Sequence, residues 1–226
     1  MIPVSLSGGV ERGARTGTSV GGQPVVIWRG QDGAVRAWAD RCPHRGMRLS
    51  FGFVRGNTLA CIYHGWSFGS PGGDPGADGR CLAVPAHPGL TPPATASVPA
   101  RPAAEALGLI WVGAGPGDDQ PSQAAAGGPE NVHPVRSVTA PAPAAALRAA
   151  LEATPPPGAG TAETSEDGVL VTFKGQTVRV TAAIQDRGDE TATAHVVTTA
   201  ADPNSRKALC QWAALVRDHL AAVVLP

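Results

Sequence analysis

The most constraining feature of the sequence is a pair of short cysteine–histidine motifs between residues 41 and 66. The stretch RCPHRG places Cys42 two residues before His44, and the stretch CIYHGW places Cys61 three residues before His64. Sixteen residues separate the two pairs, in a chain of 226 residues that has only four cysteines and six histidines. Cysteine interleaved with histidine in this way indicates a metal site better than it indicates a disulfide framework.

Each pair combines one cysteine with one histidine, and this combination helps to identify the metal. Thiolate ligands select iron–sulfur clusters, copper(I) or zinc, whereas imidazole binds most transition metals. A structural zinc site usually pairs cysteine with cysteine and histidine with histidine. In a [2Fe-2S] centre of the Rieske type, one iron takes two thiolates and the other takes two imidazoles, so each mixed pair can reach both irons. The spacing therefore favours such a cluster over zinc, and over four core residues without a metal.

At these positions the sequence resembles the N-terminal domain of the Rieske non-haem iron (aromatic-ring-hydroxylating) oxygenases. The shared features are CPHRG, the spacer, CIYHGWSF and the later GRCLAVPAHPG, and they cover about half of the chain. The resemblance implies one [2Fe-2S] cluster, held by two loops at one tip of an antiparallel β domain. The implied cofactor-binding and metal-ligating residues are Cys42, His44, Cys61 and His64.

Three positions in the motifs differ from the Rieske proteins of respiratory chains. Those proteins have one further cysteine in each loop, and the two form a disulfide, whereas Met47 and Tyr63 stand there in this chain. They also have a serine where Trp66 stands. Fewer hydrogen bonds to the sulfur atoms predict a reduction potential toward the bottom of the Rieske range, which runs from roughly −150 to +300 mV.

The pattern of apolar residues, glycines and prolines predicts two folded parts. Residues 1–113 form short strand-like runs and are predicted to be an all-β Rieske domain. Residues 114–130 contain almost no large apolar side chain and are predicted to be a flexible linker. Residues 131–226 are predicted to be a small α+β domain, with a long C-terminal helix and the character of a reduced helix-over-sheet oxygenase domain.

A complete Rieske oxygenase also needs a mononuclear iron held by two histidines and a carboxylate. The histidines after the second motif are His87, His133, His195 and His219. No two of them are close in sequence, so mononuclear iron is not expected and no catalytic residue is assigned. The best remaining combination is His195 with another histidine and one of three acids, which are Asp186, Asp189 and Glu190.

Charge and composition narrow the partners and the compartment. The formal net charge is zero, so no basic surface for nucleic acid or an anionic membrane is indicated. No signal peptide and no run of eighteen apolar residues is found, which predicts a cytoplasmic protein without a membrane span. No dinucleotide-binding fingerprint is present. Electrons are therefore expected from a protein redox partner, a reductase, with an oxygenase subunit as a further partner.

These observations predict a Rieske-type protein that transfers one electron as an oxygenase-like or ferredoxin-like component. Whether it is itself an enzyme stays open, with an oxidoreductase component favoured. One alternative is a complete Rieske oxygenase whose mononuclear iron site is not recognisable in the sequence. Another, of a different class, is a redox-sensing or partner-binding protein.

Overall fold

The fold is described from a computed structural model of the whole chain. It describes residues 1–115, 118, 120–121, 125, 127–175, 178–188 and 190–224. The predicted linker, residues 114–130, therefore lies partly outside the described residues. Asp189, one of the three acids considered above, lies outside them as well.

Seventeen strands and two helices are found in the described part of the chain. The strands of the first half are β1 (Ile2–Leu6), β2 (Arg15–Val20), β3 (Gln23–Arg29), β4 (Val35–Ala39), β5 (Phe53–Arg55), β6 (Thr58–Ala60), β7 (Ser67–Gly69), β8 (Gly79–Ala83), β9 (Ser97–Val98), β10 (Ala100–Arg101), β11 (Ala103–Ala106) and β12 (Leu109–Val112). The elements of the second half are β13 (His133–Ala140), α1 (Ala144–Ala153), β14 (Ala162–Thr164), β15 (Leu170–Lys174), β16 (Arg179–Asp186), β17 (Ala192–Thr198) and α2 (Pro203–Val224).

The first half forms three small antiparallel sheets. Their strand orders are β1-β12-β11, β10-β4-β3-β2 and β5-β6-β7-β8-β9. Trp28 of β3 and Trp38 of β4 are fully buried and meet edge to face, with ring centroids 4.9 Å apart. They pack in one apolar cluster with Phe68 of β7 and with Cys42 and Cys61. The core of this half therefore extends to the base of the two cysteine–histidine motifs.

The second half is one antiparallel sheet of order β13-β17-β16-β15-β14 with two helices packed on it. Helix α2 begins where the Asp202 carboxylate accepts a hydrogen bond of 2.8 Å from the Ser205 amide, which satisfies a free N–H of the first turn. Trp212 of α2 is 4% exposed and packs edge to face on Phe173 of β15. This aromatic contact fixes the long helix over the sheet.

The two halves are joined through both apolar and polar contacts. Leu109 and Trp111 of β12 share a buried cluster with Leu170 and Val197 of the second sheet. A large apolar contact of this kind resembles a domain core more than a surface encounter. The division into residues 1–113, 114–130 and 131–226 stays a prediction.

The predicted fold class is confirmed: antiparallel sheets are followed by a helix-over-sheet part with a long C-terminal helix. Strand β8 begins at Gly79. The position requires glycine because the Trp38 ring leaves no room for a Cβ. The nearest ring carbon lies 2.6 Å from the place that an ideal Cβ would take. Within the described residues, neither helix combines the length and apolar character that a bilayer span requires.

Candidate metal centre

Two loops bring the cysteine–histidine motifs together at one end of the β5–β9 sheet. The first site loop, residues 40–52, joins β4 to β5, and the second site loop, residues 61–66, joins β6 to β7. Because β5 and β6 are neighbouring strands of one sheet, the two loops emerge side by side. All four side chains predicted from the sequence therefore lie at one tip.

The two loops close with the same pattern of backbone hydrogen bonds. In the first, the Cys42 carbonyl accepts from the Gly46 amide at 2.8 Å, and in the second the Cys61 carbonyl accepts from the Gly65 amide at 3.0 Å. Each cysteine amide donates to the carbonyl five residues later, at 2.8 and 2.9 Å. Gly46 and Gly65 have φ values of +73° and +70°, a left-handed conformation that glycine adopts without strain. The glycines are thus required by the turn itself.

The two thiols lie on the inner side of the tip. Cys42 is 2% exposed and Cys61 is 3% exposed, and both belong to the buried cluster around Trp38. Burial raises the pKa of Cys42 to about 11, and contact with the Cys61 thiol acts in the same direction. The backbone amides of His44 and Arg45 donate hydrogen bonds to Cys42, which lowers the pKa and opposes the effect of burial. These N–H groups are suited to stabilise a thiolate once a cation removes the proton.

The two imidazoles lie on the outer side of the same tip. The Nδ1 atoms of His44 and His64 are 3.1 Å apart, and both rings are exposed. Partial desolvation lowers the pKa of His44, and the neighbouring charges of His64 and Arg45 lower it further. With Nδ1 free of its proton, each of the two imidazoles could offer a nitrogen lone pair to a metal ion.

Two aromatic rings hold these imidazoles in place. Trp66 stacks on the His44 ring with centroids 4.4 Å apart and an angle of 5° between the planes. Tyr63 stacks on the His64 ring at 3.9 Å. Trp66 thereby covers one face of the His44 ring. Tyr63 is 54% exposed, so the outer rim of the tip is both aromatic and accessible.

The donor set suits a cluster with two unlike metal ions. Two soft thiols meet on the buried side and two imidazole nitrogens meet on the exposed side, which matches the ligand pattern of a Rieske [2Fe-2S] centre. The two thiols come from different loops, and so do the two imidazoles. Neither loop alone can therefore supply both ligands of one metal ion. The residues present therefore fit this cofactor.

Two supporting contacts could not be recognised from the motifs. The buried Asp40 carboxylate accepts hydrogen bonds from the Ser50 amide and hydroxyl, both at 2.7 Å, and thereby ties the two ends of the first site loop. Pro85, after β8, packs against Gly65, where its Cγ would lie 3.0 Å from an ideal Cβ. The only sequence signals were an aspartate just before the first motif and the proline within GRCLAVPAHPG.

The structure does not bring together the described candidates for a second, mononuclear site. His195 lies in β17, is 3% exposed and contacts Ser137 Oγ through Nδ1 at 2.8 Å and Gln185 Oε1 through Nε2 at 3.2 Å. Both of its ring nitrogens are thus engaged in hydrogen bonds. His219 is exposed on α2. Among the described residues, no three His, Cys, Asp or Glu side chains converge so that they could hold one metal ion.

Comparison with protein families agrees with this geometry. Residues 1–98 match the model of the Rieske [2Fe-2S] domain. Similar proteins include the oxidoreductase NdmD of Pseudomonas putida, 46% identical over 99 residues that make up 43% of this chain and 16% of NdmD. The oxygenase subunit of 3-chlorobenzoate-3,4-dioxygenase from Comamonas testosteroni is 36% identical over 92 residues, 40% of this chain and 20% of that protein. The chain thus matches a fifth or less of the length of these relatives.

Solved structures extend the likeness in fold beyond the tip. NdmA of Pseudomonas putida CBB5 superposes with a TM-score of 0.71 and 19% identity, over 98% of this chain and 80% of that one. Dicamba monooxygenase with non-heme iron and dicamba superposes with a TM-score of 0.72 and 18% identity, over 98% and 85% of the two chains. At 18–19% sequence identity, these superpositions show a shared fold and nothing further. The chain therefore carries, over residues 1–98, a domain that matches the Rieske [2Fe-2S] family, whose relatives here include an oxygenase subunit, and a further C-terminal part follows that domain.

Proposed function

We propose that the chain is a one-electron carrier of the Rieske oxygenase type. The observation that supports this most directly is the meeting of two buried thiols and two exposed imidazoles at one tip. The proposed ligands of the [2Fe-2S] cluster are Cys42, His44, Cys61 and His64. When bound, the cluster accepts one electron and returns it.

The residues around the proposed ligands have separate roles in this function. The amides of His44 and Arg45 donate to the Cys42 sulfur and favour its thiolate form. Burial of both cysteines keeps water from the sulfur side. Electron exchange is then confined to the outer side, where the imidazole edges of His44 and His64 are exposed. Met47 and Tyr63 leave the two loops without a bridging disulfide, which supports a low potential.

The proposed partners are proteins. A reductase would supply the electron, and an oxygenase subunit is the proposed acceptor, in line with the oxygenase relatives of the domain. Docking is proposed at the tip, where Ile62 and Tyr63 are 50% and 54% exposed beside the imidazoles. Exposed apolar and aromatic side chains are enriched at protein interfaces. The division into a Rieske domain, a linker and a C-terminal domain belongs to the same proposal, as does a cytoplasmic location.

The ligand assignment is tested by serine substitution of two buried cysteines. Cys42→Ser removes a proposed ligand, and we expect loss of bound iron and of acid-labile sulfide, because an alcohol does not replace a thiolate on iron. Cys81→Ser is the matched control, since Cys81 is 8% exposed and lies in the same apolar cluster but outside the two loops. Iron content that falls equally in both variants, or in neither, would contradict the assignment.

A second candidate function is that of a complete oxygenase. It is favoured by the superposition of almost the whole chain on a monooxygenase structure that has non-heme iron. Against it stands His195, whose two ring nitrogens already bond Ser137 and Gln185. Counting metal in the purified protein distinguishes the two functions. The carrier is expected to hold two irons per chain, and a third iron that is lost on changing His195 and His219 to alanine would establish the oxygenase.

A further inference from the structure

A polar cleft lies beside the first site loop, and the proposed carrier function does not involve it. One wall is the edge strand β2, which pairs only with β3, and the other is formed by Ser50 and Phe51 of the first site loop and the turn at Arg187 after β16. Its volume is about 560 Å³ and it opens to solvent. Clefts that hold small ligands have volumes of about 300–1,000 Å³.

Three arginines from three separate segments line this cleft. They are Arg15 on β2, Arg48 in the first site loop and Arg187 after β16. None of the described lining residues is acidic, although the chain as a whole has 18 basic and 18 acidic residues. Within the described part of the chain, no carboxylate forms an ion pair with any of the three. Three unpaired guanidinium groups make the cleft locally positive.

Two described carboxylates near the cleft, those of Asp40 and Asp186, form no ion pair with these arginines. The Asp40 carboxylate is 3% exposed and is bonded through both oxygens to Ser50, behind the cleft wall. Asp186 accepts a 2.9 Å hydrogen bond from the Gly188 amide and so caps its own turn. Both carboxylates are therefore committed to local backbone or hydroxyl donors.

The remaining lining groups suit an organic anion more than a simple ion. Thr16 supplies a hydroxyl, and the exposed ring of Phe51 supplies an apolar surface at the rim. Gly17 leaves the floor open, since an ideal Cβ there would lie 3.0 Å from Ser50 Oγ and would project toward this wall. Guanidinium groups form paired hydrogen bonds with carboxylates and phosphates. Three guanidinium groups on separate segments are best matched by a ligand that has more than one anionic group.

The cleft walls are also firmly joined. Ser19 Oγ on β2 donates a hydrogen bond to the Arg187 carbonyl. Gly188 has φ +81° and approaches Gly22 so closely that a Cβ would lie 2.5 Å from its amide nitrogen. The side chain of Gln185 donates to Thr18 Oγ1 at 2.7 Å and to the Ser19 carbonyl at 2.8 Å. The spacing between Arg15 and Arg187 is therefore fixed by the fold.

We propose that this cleft binds a small organic or condensed anion with at least two carboxylate or phosphate groups, held jointly by Arg15, Arg48 and Arg187. The site lies beside the proposed cluster but shares none of its four ligands. Its occupant bridges the first site loop and the C-terminal sheet. The proposal stands independently of the electron-carrier function.

The test is calorimetric titration of the full-length protein with citrate and with pyrophosphate, in a phosphate-free buffer of low ionic strength. We expect saturable binding of at least one probe, which weakens as salt is added. Arg48→Gln and Arg187→Gln are each expected to weaken it roughly tenfold or more, since a hydrogen bond to a charged group contributes about 1.5–3 kcal/mol. Arg55→Gln is the matched control, because Arg55 is exposed on β5 outside the cleft.

Circular dichroism and iron content establish that each variant is folded, and Arg15→Gln replaces any variant that is not. The proposal is overturned if neither probe binds at millimolar concentration, or if the Arg55 variant weakens binding as much as the cleft variants do. Hexaglutamate supplies the remaining comparison. If it binds through these arginines while citrate and pyrophosphate do not, the cleft is a docking surface for an acidic protein segment, and the small-anion proposal fails.

Discussion

At the scale of single residues, the tip depends on glycine where the backbone is left-handed. Gly65 has φ +70° and lies against Pro85, so an alanine there meets both backbone strain and a close contact. We expect Gly65→Ala to lower the free energy of unfolding by about 1–2 kcal/mol, the cost of a left-handed alanine. We also expect lower iron content, because the second site loop carries two proposed ligands.

Gly56→Ala is the control for that experiment. Gly56 has φ +58°, but no atom lies within 4 Å of the position that a Cβ would take. Its substitution is expected to cost a similar backbone energy without loss of iron. Urea unfolding and an iron assay on both variants check this. Equal iron content in the two would contradict a role for the Gly65 turn in holding the site.

The four proposed ligands could be predicted from the sequence because few chemistries require cysteine and histidine at such spacings. Their surroundings could not. The burial of Cys42, the stacking of Trp66 on His44 and the bracing of the loop by Asp40 all depend on residues brought together by the fold. A motif specifies which atoms meet a metal, whereas tertiary packing decides which of them face water.

At the scale of secondary structure, the long and strongly patterned elements were predictable. The predicted terminal helix, from about residue 204 to 223, is α2, and the strands around the turn at Lys174 are β15 and β16. The two-residue strands β9 and β10 could not be predicted, since such short segments are defined by their partners. A segment of two residues is too short to show the alternation of apolar and polar side chains that predicts a strand.

Three neighbouring strands of the second sheet, β13, β17 and β16, share a buried polar chain with β2. Gln185 Nε2 donates to Thr18 and Ser19, so its Oε1 accepts from His195 Nε2, and His195 Nδ1 accepts from the Ser137 hydroxyl. Burial, together with the nearby charge of Arg187, lowers the pKa of His195 to about 4, so the ring is neutral near pH 7. A neutral imidazole that donates through Nε2 accepts through Nδ1.

The folded protein is therefore expected to lose stability in acid. Between pH 6.5 and about 4, His195 is protonated in the unfolded chain but neutral in the folded one. The free energy of unfolding then falls with falling pH, by at most about 1.4 kcal/mol per pH unit from this group. His195→Gln should flatten the slope, whereas His219→Gln, on the exposed face of α2, should leave it unchanged. Urea unfolding at a series of pH values measures both, and parallel slopes in all three proteins would refute the assignment.

At the scale of the whole molecule, the two halves are packed as one body. Leu109 and Trp111 of the first half are fully buried together with Leu170 and Val197 of the second. The composition of residues 114–130 predicts a linker between two domains, and composition carries no information on whether the two halves pack against each other. In the described part of that linker, the Ala114 amide donates to the Asp118 carboxylate at 2.8 Å.

A shared core predicts that both halves unfold together. We expect one thermal transition, with the visible absorbance of the cluster and the far-ultraviolet circular dichroism changing at the same temperature. Leu109→Ala should shift both signals downward in parallel, since removing a buried leucine side chain costs about 2–5 kcal/mol. Leu215→Ala is the control, because Leu215 is 64% exposed on α2. Two separate transitions would mean that the halves are independent domains.

The closing hydrogen bonds of the two site loops lie within each loop, from cysteine carbonyl to glycine amide. The conformation of each loop is therefore encoded in its own backbone. Fixing a residue costs about 1–2 kcal/mol of conformational entropy, and here that cost is met when the chain folds. The proposed ligands are consequently preorganised, so we expect the cofactor to bind to loops that are already folded.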